Sequence, residues 1–74
     1  MYGAIKYDDY NWTKGLAWHR MYNASQRHIW RFWDRKDIDE ESGCHHLDMA
    51  IVNLLMLRWH TLHREDLDDR PPAI

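Results

Sequence analysis

Residues 49–57, MAIVNLLML, carry no charge and a single amide, Asn53. A run this apolar cannot stay in water, yet nine residues are far too few to cross a bilayer. It must be covered by protein. In a chain of 74 residues little is available to cover it, because short chains bury a smaller fraction of their surface than long ones.

The pattern around this run is helical. Leu47, Ile51, Leu54 and Leu57 recur at steps of three and four and mark one apolar side of a helix over residues 45–64, while Ala50 allows a neighbour to approach closely. Asp48 in its first turn and Arg58 and Arg64 toward its end suit the helix dipole. Upstream, Met21, Ala24, His28 and Phe32 form a stripe with Tyr22, Ile29 and Trp33 beside it, which predicts a helix over 16–33.

Between the two, residues 34–44 lose the periodicity, are dense in charge and close on Ser42-Gly43, so the chain turns there in an acidic loop. Residues 1–15 mix aromatics with Gly3, Gly15, Asn11 and the Asp8-Asp9 pair, the chemistry of an ordered loop anchored by rings. The tail, residues 65–74, holds a Pro pair that cannot continue a helix and is expected to fray. The expected fold is one all-α domain, a helical hairpin of two main helices preceded by an aromatic loop. A hairpin cannot cover every side of so apolar a helix. Homo-oligomerisation, as a dimer or tetramer, would complete a helical bundle.

Charge narrows the partners. The formal charge is −2, without the basic footprint that binds duplex nucleic acid. A lone cysteine, Cys44, forms no internal disulfide, and the chain opens on no charged-then-apolar leader. A cytoplasmic protein with no membrane segment is the expectation.

Residues 37–48, DIDEESGCHHLD, concentrate the chemistry. Asp37, Asp39, Glu40 and Glu41 offer oxygen ligands of the kind Mg²⁺ and Mn²⁺ prefer, at the start of a helix whose backbone N–H groups attract anions. Charge runs are more often simply solvated loops. His28 and His46 fit two readings, a buried histidine with a hydrogen-bond partner or a pair across the hairpin that orients a phosphate or moves a proton. His60 and His63 lack a matching acidic or thiol partner in register and are assigned to the surface. Asn53 is costly in an apolar helix unless its amide is satisfied, by the core itself or by a base edge or ribose. Trp12, Trp18, Tyr7 and Tyr10 are core candidates that could also stack on a purine.

GAIKYDDYNWTKG, then Arg27-His28, DIDEESGCHHL, Asn53-Leu54-Leu55 and finally DDRP, in this order, resemble the phage and bacterial family of dATP/dGTP diphosphohydrolase N-terminal domains. That family is similar to the all-α MazG-like nucleotide pyrophosphohydrolases. The resemblance runs from about Tyr2 to Pro71 and implies a helical, oligomeric, metal-using enzyme. Its reaction would split a purine deoxynucleoside triphosphate into monophosphate and pyrophosphate in the cytoplasm of a host or infected bacterial cell. It implies Asp39, Glu41 and His46 as the catalytic set, with Asp39 and Glu41 holding Mg²⁺ or Mn²⁺. Lys6, Asn11, Trp12, Lys14, His28 and Asn53 would contact the substrate, the two lysines at the phosphates.

The chain departs from the family pattern at Met49, where a second histidine is expected, and in beginning at the GAIKY motif rather than after a further helix. Helix one also carries no acidic residue before Asp34. These departures suit a second function: a catalytically inactive sponge that sequesters a purine signalling nucleotide of a host antiviral defence system.

Overall fold

A computed structural model describes residues 11–73. It is all-helical, with α1 over Trp18–Trp33 and α2 over His46–His63 packed as a hairpin, and short 3-10 turns at Asn11–Lys14 and Glu65–Leu67. Most of the aromatic loop and Lys6 lie outside the described residues. Among those described there is no β-strand, only one antiparallel bridge between Ile38 and His45.

Local chemistry fixes each end. The Lys36 N–H donates to the Arg31 carbonyl and the Arg35 N–H to that of Phe32, both at 3.0 Å. This is the Schellman pattern that satisfies the last carbonyls of a helix. It places Arg35 at φ +69°, where glycine is the usual residue. The chain then runs through the acidic loop, which is a tight structure and not a solvated coil. Asp39 N–H donates to Cys44 O at 2.8 Å, Gly43 N–H to Asp39 O at 2.7 Å and His46 N–H to Asp37 O at 2.7 Å. Gly43 turns the corner at φ +77°. His45 lies just outside α2 in extended backbone, and its Nδ1 accepts from Leu47 N–H at 3.1 Å, the task that Ser or Asp usually performs at a helix start.

The start of α1 is capped from far along the chain. Ala17 supplies no side-chain cap; the His19 N–H instead donates to Asp69 Oδ1 at 3.0 Å, and the His19 ring pairs with Asp69 Oδ2. A carboxylate there satisfies an orphan donor and faces the positive end of the dipole. The tail therefore does not fray through this segment. Trp18 Nε1 donates to Arg64 O at 3.1 Å, Arg70 stands 5.0 Å over the Trp18 ring, and Arg64 reaches Lys14 O at 2.9 Å. Gly15 adopts φ +107°, a conformation that side-chain-bearing residues rarely take, and a Cβ there would lie 2.5 Å from Arg64 Nη1 and 2.6 Å from Leu67 Cδ1, so both side-chain tips would have to move. The apolar core sits at this end of the hairpin, where Trp18, Met21 and Met56 pack with Leu16, Leu57 and Leu67.

The stripe on α1 turns inward as its spacing predicts: Met21, Ala24 and His28 are buried and Phe32 half-buried. Of the α2 side marked by Leu47, Ile51, Leu54 and Leu57, Leu57 packs against the core, while Ile51 and Leu54 do not face α1. The buried side is His46, Met49, Ala50, Asn53, Met56 and His60, and Ile51, Leu54, Leu55 and Leu62 look outward. His60, expected at the surface, is completely buried. Its Nε2 accepts from the Leu16 N–H at 3.1 Å and its Nδ1 donates to Met56 O at 2.8 Å. Two backbone bonds to one imidazole remove the cost of burying it, and that is why a polar residue wins an inward position over leucines.

Candidate functional site

The inward face of α2 is a polar seam. His28 from α1 and His46 from α2 meet Nδ1 to Nδ1 at 2.9 Å, both buried. Such a bond needs one N–H donor and one bare nitrogen, so the pair holds one shared proton between its Nδ1 atoms and is uncharged when each ring is neutral. Burial is the main reason that the His28 pKa lies below its usual value, with the neighbouring positive charge of His46 next in size. Asp39 counteracts this.

Asp39 is also buried. The Ser42 hydroxyl donates to its Oδ2 at 2.8 Å, and Ser42 Oγ accepts from Cys44 N–H at 3.2 Å. The Ser42 bond is the largest cause holding the Asp39 carboxyl below the ordinary carboxylate range; burial opposes it, while the Glu41 backbone N–H and the two histidines reinforce it. One turn beyond Met49, Asn53 donates through Nδ2 to Met49 O at 2.9 Å. Its Oδ1 is buried without a hydrogen-bond partner among the described residues.

Of the residues that the sequence singled out, the fold thus brings His28, His46, Asp39 and Asn53 to the seam between the helices. Glu41 is exposed on the loop, and Lys14 is exposed on the first 3-10 turn. Asn11 and Trp12 belong to that turn by backbone. Among the described residues no three His, Cys, Asp or Glu side chains are placed to hold a metal ion. Asp39 is buried against Ser42, while Glu41 is exposed on the loop.

The orphaned acceptor has a consequence for stability. Replacing Asn53 by Leu removes an unsatisfied buried oxygen while Met49 O keeps its helical partner. The variant is expected to be about 1 kcal/mol more stable than the parent in urea unfolding. A loss of stability would show that Oδ1 is satisfied in the intact protein.

Sequence reasoning missed two features. His60 gave no signal beyond its i+4 step from Met56. The arginines Arg20 and Arg27 did leave one, because a spacing of seven puts both on one side of α1.

An all-α hairpin with a histidine-centred polar seam is the class of protein that these observations define. The chain belongs to the dATP/dGTP diphosphohydrolase N-terminal family, whose family model matches residues 1–70. A dATP/dGTP diphosphohydrolase of Salmonella phage PMBT28 is 35% identical over 68 residues, which is 92% of this chain and 23% of that relative's length. No solved structure matches. No helix among the described residues is long and apolar enough to cross a membrane.

Proposed function

We propose that this chain handles purine deoxynucleoside triphosphates, taken as their Mg²⁺ or Mn²⁺ complexes, and converts them to monophosphate and pyrophosphate. Membership of the family carries this reading. The test is direct. Purified protein is incubated with dATP, dGTP and a panel of other purine nucleotides, including cyclic ones, in Mg²⁺ or Mn²⁺, then denatured, and every recovered nucleotide is identified by mass. Monophosphate and pyrophosphate support hydrolysis.

Retention without cleavage is the second reading, a sponge for a purine signalling nucleotide. It is favoured by the way the seam satisfies itself, with His28 bonded to His46 and Asp39 to Ser42. Recovery of the nucleotide unchanged, in amounts that depend on the protein, would support it. Recovery of no purine nucleotide would remove both readings.

The working form is proposed to be a homo-oligomer in the cytoplasm of a bacterial cell. Ile51, Leu54, Leu55 and Leu62 form an exposed apolar face on α2, of the kind that soluble chains cover by association. A second copy presenting the same face would complete a four-helix bundle. Leu55 is 65% exposed, so Leu55→Glu should leave the fold intact while weakening association by about tenfold or more in sedimentation. Unchanged sedimentation would place the interface elsewhere.

A further inference from the structure

The DDRP segment, residues 68–71, plays no part in the seam, yet it is docked firmly. Asp69 caps α1, and Arg70 lies over Trp18 while its guanidinium pairs with the Asp68 carboxylate at 2.7 and 2.9 Å. Between this segment and α1 is a cavity of about 640 Å³, within the size range of small-molecule sites. Trp18, Tyr22 and Pro71 make its walls aromatic and apolar. A second cavity, of about 290 Å³, adjoins it along α1 and contains Arg20 and Arg27. His19 and Asn23 line both, so these two exposed residues of α1 stand between the two spaces.

The two spaces differ in chemistry. Arg70 is already neutralised by Asp68, and Asp69 is taken by His19. Arg20 and Arg27 are exposed and form no ion pair with a described residue, so theirs is the positive charge open to an incoming anion. An aromatic cavity on one flank of α1 and two open guanidiniums on the next, with His19 and Asn23 between them, suit a planar ring joined to a phosphate chain that crosses these two residues: rings stack on aromatic faces, and guanidinium forks match phosphate oxygens. Asn23, at the junction, adds an amide donor and acceptor suited to a base edge or sugar hydroxyl.

We propose that this double cavity is the nucleotide site, with the base against Tyr22 and Trp18 and the phosphates on Arg20 and Arg27. The proposal rests on the nucleotide reading above and locates the ligand outside the buried seam. His28, His46 and Asn53 then act as the scaffold behind α1 and do not touch the nucleotide.

The experiment measures equilibrium binding of dATP, deoxyadenosine and inorganic triphosphate to the full chain, with far-UV circular dichroism on each variant. Arg20→Ala combined with Arg27→Ala should weaken dATP by about 30-fold and leave deoxyadenosine unchanged. Tyr22→Ala should weaken dATP and deoxyadenosine alike, by about tenfold, without altering inorganic triphosphate. Arg58→Ala, which removes an exposed cation of α2, should change none of them. In the parent protein, the amide resonances of Tyr22, Asn23 and Arg27 should shift on titration with dATP. Parental affinity in both the arginine and the tyrosine variants would overturn the location while leaving nucleotide handling standing. Absence of any purine nucleotide binding by the parent protein would overturn the reading and the location together.

Discussion

Replacing His60 by Ala is expected to cost about 3 kcal/mol of unfolding free energy, the range seen when a large buried side chain is truncated and its hydrogen-bond partners are stranded. His60 is entirely enclosed, and its ring joins two segments. Nε2 holds the Leu16 N–H just before α1, and Nδ1 holds the Met56 carbonyl one turn back along α2. Alanine would open a cavity and strand the Leu16 donor, next to the core of Trp18, Met21 and Met56. His63→Ala, three residues on at an exposed position, should stay within about 0.5 kcal/mol of the parent. Urea denaturation of the two variants checks this, and similar midpoints for both would show that the buried imidazole is not a keystone of the hairpin.

The second expected result is acid sensitivity above pH 4. The His28 pKa is lowered, first by burial and then by the positive charge of His46, Arg27 and Arg31, with Asp39 opposing. A histidine whose folded pKa lies below its unfolded value of 6.5 makes the unfolded chain bind more protons, so stability rises with pH. That contribution is complete above pH 6.5 and is lost as the pH falls from there through the folded value. Every unit of depression is worth about 1.4 kcal/mol once the lower value is passed. Asp39 works in a separate window, because its lowered pKa gives stability that is present above 3.8 and disappears only as the pH falls through the still lower folded value. Urea midpoints measured from pH 7.5 to 4.5 should therefore decline in the parent protein. His28→Asn keeps a short polar partner for His46 Nδ1 but does not titrate, and should flatten the decline. An equal slope in both proteins would assign the acid sensitivity to other groups.

The helices and the turn between them were legible in the sequence because their causes are local. Apolar spacing at three and four residues marked both helices, and the loss of that period with Ser42-Gly43 marked the loop. The ends were less legible. His45 caps α2 through a ring nitrogen, and α1 ends in a Schellman motif at Arg35 where glycine is the usual signal. The cap of α1 comes from Asp69, fifty positions along the chain from His19. No window of local sequence could contain that partner.

The candidate site shows the same division. Motif order pointed to His28, Asp39, His46 and Asn53, and the fold gathers these four at the seam between α1 and α2. Hydrophobicity alone turned much of α2 the wrong way round, since it assigns Ile51 and Leu54 inward and His60 outward. The direction is set instead by specific pairing: His46 finds His28, His60 finds Leu16 and Met56, and these bonds exist only when the two helices are already side by side. By itself the sequence determined that two helices form, where the chain reverses between them, and to which family it belongs, since all of these rest on near neighbours and motif order. Only the tertiary structure decided which face of α2 is inside, that the tail folds back over Trp18, and that Tyr22 and Pro71 line one cavity, because each depends on groups brought together from distant parts of the chain.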